Sequence, residues 1–447
     1  MRYLDVTKMN GTDMKATTKD NTSSHHSSVC FHIIGLGVNE TAYLSDDACT
    51  ALNQVDVVIG SDRQLKVVEH LLNAIGQKHC SFPKFSEFES WISTEQAAGQ
   101  RTFAVLASGD PLYFGIGRWF STHFTPSKLR YYPAVSSVQA ACHKVGLSLQ
   151  DADVISLHGR PLERLRDQIK QNQKLVILTD DKSRPEMLAQ ECIDLGFLNA
   201  RLHVCERLGY ENERISSYQI TDSEIAKQSF DPLHVSIIET EQCERYVPEF
   251  PGIPDAEFIT DAGLGKGLIT KREVRLSILS LMQPTRDDVI WDIGAGCGSV
   301  AIELSKWQSQ QQVFAIEHHS ERLQCLHQNR SKFGVVSNLK IIEGRAPEAL
   351  GDLPQPNKVF IGGSDGELES LLTTCWKQLP PNGVLVASAV TENTKQVLFQ
   401  FLQIRQQLND SEFEGTQLTV SRASNLANQL LYRPNFPVTL FKWVKTS

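Results

Sequence analysis

VIWDIGAGCGSVAIE, Val289–Glu303, decides the fold of the second half of this chain. Val289–Ile293 is a short apolar run with one acid, Asp292, near its end, the pattern of a strand buried in a parallel sheet. Gly294-Ala295-Gly296-Cys297-Gly298 follows at once, and Ser299–Trp307 reads as a helix. A second strand over Val313–Ile316 ends on Glu317, 23 positions after Gly294. Strand, glycine turn, helix and an acid at the next strand end make nucleotide-binding geometry. A dinucleotide would bring a pyrophosphate to the turn, where Asp292 would repel it. S-adenosylmethionine brings an amino acid and no phosphate. Asp292 then accepts a hydrogen bond from the ammonium, and Glu317 offers two acceptor oxygens to ribose hydroxyls. The pattern favours S-adenosylmethionine, with a nicotinamide-dependent oxidoreductase as the alternative.

Outward from this core the α/β alternation continues. Lys340–Glu343 is a strand leading into Gly344-Arg345-Ala346-Pro347-Glu348, Val359–Ile361 leads into Gly362–Gly366, and Val384–Ala387 leads into Ser388. The Asn/Asp-Pro-Pro-Tyr/Phe signature of amino-group methylation is absent, and the glycines after Ile361 leave room for a bulky planar substrate. Toward the N-terminus, Cys30–Gly35, Val55–Ile59 and Thr102–Leu106 read as strands, with a helix over Leu44–Leu52 capped by Ser45. Gly35-Leu36-Gly37 reads as a tight turn. Ser108–Gly117 (SGDPLYFGIG) is more telling. Gly109 reaches conformations closed to other residues, and Pro111 keeps Asp110 extended, so the loop presents backbone groups at a strand's carboxyl end. Tyr131–Ser137 repeats the theme. Strands over Val154–Leu157 (leading into His158-Gly159-Arg160), Leu175–Leu178, Val204–Leu208 and Val235–Glu239 follow, and the alternation predicts parallel sheets. Tyr246–Pro254 (YVPEFPGIP) holds three of the 18 prolines and reads as a semi-rigid connector. The expected organisation is a disordered extension over 1–29, a first domain over 30–245, a linker over 246–254 and a second domain over 255–447.

Composition bounds what such a chain does. The 447 residues are 41% hydrophobic, which excludes a wholly disordered or fibrous protein, and no run approaches the ~18 apolar residues of a membrane span. With 44 Lys+Arg against 52 Asp+Glu, the net charge of -8 argues against nucleic acid as a partner. An anionic ligand must be held by local cations, for which Arg63, Arg160, Lys271 and Arg275 are candidates. Arg422 reads better as a surface charge. Ten scattered cysteines, without C-x-x-C or a Cys/His cluster, indicate reduced cytoplasmic thiols and no metal site. Residues 1–29 lack the apolar stretch of a secretory signal, and His25 and His26 read as solvated tail.

SGDPLYFG, YPAVSS, LHGR and Cys205–Ile215 (CERLGYENERI) resemble the tetrapyrrole methylases, in particular their precorrin carbon-5 methyltransferase branch, over about residues 30–245. The resemblance implies two α/β subdomains with S-adenosylmethionine bent into the cleft between them. Gly109, Asp110 and Leu112 would line the cofactor, with Ser136 and Ser137 opposite. Gly267–Arg275 (GLITKREVR), Trp291–Glu303, Gly344–Leu350 (GRAPEAL) and Val359–Leu368 (VFIGGSDGEL) resemble the precorrin-6B carbon-15 methyltransferase (decarboxylating) family over about residues 252–445. This implies a Rossmann-like class I methyltransferase domain. Its cofactor would be held by Thr270, Asp292, Gly294, Ala295, Gly296, Cys297, Gly298, Glu317 and Ala346. Two positions depart from the pattern: Arg345 stands where the family usually has Asp, and Ser388 differs from the common residue. The order of the halves matches fused C(5,15)-methyltransferases of corrin-ring biosynthesis. The implied reaction adds methyl groups to carbons 5 and 15 of precorrin-6B, from two S-adenosylmethionine sites, and removes the carbon-12 acetate carboxyl to give precorrin-8. A cobalt-containing ring is an alternative substrate. A cytoplasmic homo-oligomer joined through the second domain is expected. An RNA methyltransferase would require a basic face that the charge balance does not offer. A non-enzymatic tetrapyrrole-binding scaffold stays open on Val38 and Arg345.

Overall fold

The computed structural model describes residues 29–72, 76–267 and 269–446. The expected N-terminal extension up to Ser28, with His25 and His26, lies outside the described residues. The chain divides into two compact units that meet between Ser136 and Ser137.

The first unit is built on a five-stranded sheet in the order Lys78–Cys80, Val57–Ile59, Thr102–Ala107, Cys30–Gly35, Leu129–Tyr132, parallel throughout. One face is aromatic. Phe31 stands beside Phe88, Phe103 and Phe120 at centroid separations of 6.0, 5.5 and 5.2 Å, and all four rings are buried. The other face packs Ile34, Val58, Ala104 and Leu106 against helix Asp46–Gln54. The Ser45 hydroxyl accepts from the Ala48 amide, and Asp46 and Asp47 occupy the first turn, so the expected cap is present.

The second unit holds two larger sheets and one hairpin. The order of the first sheet is Asp153–Ser156, Lys174–Leu178, His234–Glu239, Arg201–Glu206, Arg214–Gln219. Only its first pair is parallel. This corrects the parallel expectation. Arg201–Glu206 and Arg214–Gln219 are joined by residues 207–213 alone, too short a stretch to cross over and re-enter in parallel.

The other sheet has seven strands in the order Leu339–Glu343, Gln312–Glu317, Val289–Ile293, Lys358–Ile361, Val384–Ala389, Val438–Lys445, Ser411–Leu418. Its first five strands are parallel, and Val438–Lys445 pairs antiparallel with both Val384–Ala389 and Ser411–Leu418. Trp291, Val359, Leu385 and Trp443 fill one face, and Ile278, Ile290, Ala301 and Val313 the other. The chain winds outward from Val289–Ile293 in one direction, then returns to Lys358–Ile361 and winds the other way. This places the switch point, where open sheets of this kind bind ligands, at Gly294. Ser421–Leu426 and Gln429–Pro434 form a separate two-stranded sheet, turned by Ala427 and Asn428 at positive φ. The proline-rich connector is packed: Glu303 accepts from the amides of Gly252 (2.9 Å) and Ile253 (3.0 Å), and the Ile253 side chain is buried in the core of the seven-stranded sheet. Among the described residues no helix is long and apolar enough to cross a membrane.

Candidate functional site

At the switch point the glycines are required by close approach. Gly294 has φ +68°, and a Cβ on it would lie 2.5 Å from the Gly363 carbonyl oxygen, so the ends of Val289–Ile293 and Lys358–Ile361 touch backbone to backbone. Gly298 has φ +86°, and a Cβ there would lie 2.1 Å from Leu326 Cδ1. The turn is fixed from behind by the amides of Gly294 and Ala295, both 3.0 Å from the Ile316 oxygen, and by Asn329 Nδ2, 2.9 Å from the Cys297 oxygen.

Glu317 ties this turn to the loop after its own strand. One carboxylate oxygen accepts from the Gly296 amide at 2.8 Å, the other from the amides of His318 and His319 at 2.9 Å each. A cavity of about 70 Å³ opens here, lined by Gly294, Glu317, His318, Arg345, Ala346 and Asp365 among others. Glu317, His318 and His319 also bring three ligand-type atoms within 4.8 Å of one another. Both Glu317 oxygens are held by backbone amides, however, so this cluster shapes the loop.

Asp292 is 1% exposed, and neither of its carboxylate oxygens has a hydrogen-bond partner among the described residues. Burial pushes its carboxyl up to about 7. The Glu317 charge adds to the rise, and the nearby Ala301 amide opposes it without reaching hydrogen-bond geometry. A buried carboxylate without a donor, next to a cradle that a Cβ would fill, fits a ligand carrying a cationic amine. Asp292 and the Gly294 turn fit such a ligand, while the Gly296 amide and both Glu317 oxygens are engaged within the loop.

Arg275 is a correction. It is fully buried, and its donors go to Glu303 (3.2 Å), Asp255 (2.7 Å), the Thr270 oxygen (2.6 Å) and the Ile253 oxygen. Its guanidinium also lies over the Phe258 ring at 4.7 Å. Enclosed on all sides, it has no face left for a substrate carboxylate; it pins the connector and Thr270 to helix Arg272–Met282. Lys271 is the residue before that helix, with its amine 3.5 Å from the Gly265 oxygen. Arg422 pairs with Asp255 at 3.0 Å and Glu273 at 2.6 Å. Arg345 donates to the Asp365 oxygen at 3.0 Å. The Asp365 carboxylate is hydrogen-bonded to His318, which holds it below the usual carboxylate range. An acid thus reaches this cavity from the loop after Ile361 and not from position 345. Sequence reading missed Asp365 and His318, and their one signal was position at the ends of strands flanking Val289–Ile293.

In the first unit Gly109, at φ +65°, forms an antiparallel bridge with Gly37: its amide donates to the Gly37 oxygen at 3.0 Å and its oxygen accepts from the Gly37 amide at 3.4 Å. Asp110 accepts from the amides of Leu112 (2.9 Å), Tyr113 (3.0 Å) and Ala134 (3.3 Å), so its carboxylate shapes the loop. Leu112 is 53% exposed beside exposed Phe114. Arg63 reaches the same strand end, donating to the Ser108 hydroxyl at 3.0 Å. Ser136 is buried and closes this unit. In the second unit Ser137 opens helix Ser137–Val145, and Arg160 donates to the Ser156 oxygen at 2.9 Å. The Gly159 amide donates to Asp180 at 2.6 Å and is the first cause that holds this carboxyl below its usual range.

The Tetrapyrrole (Corrin/Porphyrin) Methylases family matches residues 31–222, and the Precorrin methyltransferase domain family matches residues 263–445. A precorrin-6Y C(5,15)-methyltransferase [decarboxylating] of Sinorhizobium sp is 34% identical over 417 residues, covering 92% of this chain and 96% of the relative. One of Mycobacterium tuberculosis (strain CDC 1551 / Oshkosh) is 28% identical over 375 residues, covering 82% and 88%. A cobalt-precorrin-7 C(5)-methyltransferase of Salmonella typhimurium is 29% identical over 183 residues, covering 41% and 87%.

Fold and strand-end sites define an α/β methyltransferase that joins a tetrapyrrole methylase domain to a Rossmann-like domain, a class that draws its methyl group from S-adenosylmethionine. Within that class the chain belongs to the precorrin-6Y C(5,15)-methyltransferase (decarboxylating) family.

Proposed function

We propose that this chain methylates carbons 5 and 15 of precorrin-6B and removes the carbon-12 acetate carboxyl, giving precorrin-8 in cobalamin biosynthesis. The observation that carries this reading is likeness across 92% of the chain to an enzyme named for both methylations and the decarboxylation. Residues 30–245 would act at carbon 5 and the second domain at carbon 15, each with its own cofactor. When bound, S-adenosylmethionine supplies an already activated methyl group, so the protein's task is to position. In the second domain Asp292 would take the cofactor's ammonium, the Gly294–Gly298 turn would admit it and Glu317 would reach its ribose, with Thr270 and Ala346 alongside. In the first, Gly109, Leu112, Ser136 and Ser137 would contact it. Arg63, Arg160 and Lys271 would meet substrate carboxylates. Gly362 and Gly363 would themselves supply no base to the acceptor carbon, which suits a decarboxylation whose electrons enter the ring itself.

The assembly would be a homo-oligomer joined through the second domain. Leu426, Leu430, Leu431 and Tyr432 on the hairpin, with Phe436 beyond it, are all exposed in the single chain. Its ten free cysteines suit a cytoplasmic enzyme. The test is mass spectrometry of products after incubation with S-adenosylmethionine and precorrin-6B. Two added methyl groups and one lost carboxyl support the reading; a single methyl group, or cofactor binding only by NAD, overturns it.

A further inference from the structure

The two domains proposed above meet inside the second compact unit. The connection between strands Asp153–Ser156 and Lys174–Leu178 carries Arg160 and then the short helices Leu162–Arg164 and Leu165–Gln168. Three contacts hold it to the seven-stranded sheet's helices. The Lys306 side chain, 4% exposed, donates to Asp167 Oδ1 at 3.2 Å and to the Asp167 backbone oxygen at 3.3 Å. Arg166, paired with Glu191 at 2.6 and 2.7 Å, also donates to the Ser331 backbone oxygen at 3.2 Å. Gly334, at φ +71°, is in backbone contact, since a Cβ on it would lie 2.4 Å from the Asp167 nitrogen and 2.6 Å from the Glu163 oxygen.

Each contact lies at the far end of a helix that begins at the proposed cofactor site. Ser299–Trp307 starts at Gly298 and carries Lys306; Ser320–Lys332 starts after Glu317, His318 and His319 and leads to Gly334. At ~1.5 Å per residue these are stiff rods of about 13 and 20 Å. A buried ion pair resists separation because neither charge can be left alone in the interior. The ion pair ties helix Ser299–Trp307 to Leu162–Gln168, and the Arg166 bond and the Gly334 contact tie helix Ser320–Lys332 to it, so a movement of either helix would pull on the segment. A cavity of about 340 Å³ beside the joint, lined by Asp167, Lys170, Gln173, Lys306 and Trp307 among others, leaves room for that movement.

We infer that the Leu162–Gln168 segment transmits cofactor occupancy at the Gly294–Gly298 turn to the Arg160 loop, so that the two active sites are coupled. This rests on the reading that the turn holds the cofactor. The test uses the full chain carrying Gly109→Val, which disables the first site and leaves the second to bind S-adenosylhomocysteine. Hydrogen exchange is compared with and without that ligand. Peptides spanning 299–334 report binding and those spanning 157–173 report transmission. Both should slow, the latter by at least about fivefold, the lower end of typical coupling between sites. Adding Lys306→Met, or Gly334→Ala as an independent break in the joint, should abolish the response at 157–173 and keep it at 299–334. Protection at 299–334 with none at 157–173 overturns the coupling, as does a response at 157–173 that survives both variants. No protection anywhere overturns the reading of the turn itself, and the coupling with it.

Discussion

Asp292 sets the pH behaviour of the second domain. Its carboxyl titrates near 7 in the folded chain, against the model-compound value of 3.8, because burial penalises the charge. The folded state therefore keeps a proton that the unfolded state releases above about pH 4. Without cofactor, stability should fall as pH rises from about 4 to 7 and level off beyond, by about 4 kcal/mol in all for a shift of roughly three units. A bound ammonium reverses the preference, so cofactor affinity should rise through pH 7. Asp292→Asn should flatten the pH dependence of melting and weaken S-adenosylhomocysteine binding. Melting curves with and without ligand from pH 5 to 8 check both, and an unchanged slope in the variant would assign the titration to another group. Glu317 makes a different prediction because it is already engaged. Glu317→Ala leaves three backbone amides without their acceptor, at about 1–3 kcal/mol for each one that stays buried and unsatisfied. We expect a lower melting temperature, at least tenfold weaker cofactor binding, and a joint loss of carbon-15 methylation and decarboxylation. Carbon-5 methylation should persist when substrate is supplied. Cofactor affinity equal to that of the unaltered chain would remove Glu317 from the site.

Strand ends carry the candidate chemistry in both units, and glycine geometry makes that testable. Gly109 pairs with Gly37 at φ +65°, where a β-branched residue is strained by about 1–3 kcal/mol. Gly109→Val should abolish carbon-5 methylation and leave a singly methylated, decarboxylated product, read by mass spectrometry beside a melting curve. A stable variant that still adds both methyl groups would remove this loop from the cofactor site. These elements were legible because their signals are local. Val289–Ile293 and Ser299–Trp307 fall where the apolar run and the glycine turn place them. The antiparallel end was not legible. Ser411–Leu418 (SEFEGTQL) offers little alternation, being an edge strand with one partner, and Ser421–Leu426 is largely exposed. Arg275 was misread for a related reason. Its chain position shows a cation in a promising motif, while its burial depends on Asp255 and Glu303, brought in from elsewhere in the fold.

At the scale of the molecule, separability tests how the halves are joined. The connector contributes to the second domain's interior: Ile253 is buried, its oxygen accepts from Arg275, and Asp255 and Glu303 complete that cation's partners. A fragment beginning at Pro251 keeps this cluster and loses the three contacts of the joint: Asp167 on Lys306, which becomes solvated once the first domain is removed, Arg166 on the Ser331 oxygen, and the backbone contact at Gly334. It should fold and bind S-adenosylhomocysteine, with a melting temperature below that of the same domain in the full chain. A fragment beginning at Ile259 lacks Ile253 and Asp255 and strands Arg275 with one carboxylate where it had two. Removing one partner of a buried ion pair costs about 3–5 kcal/mol, a large share of the stability of a domain this size. That fragment should be insoluble or molten. Circular dichroism melts and ligand titration of the two fragments decide the matter. Equal stability would mean that Arg275 finds other partners and that the connector is a tether after all. Failure of both would mean that the joint with Asp167 is needed for the second domain to fold.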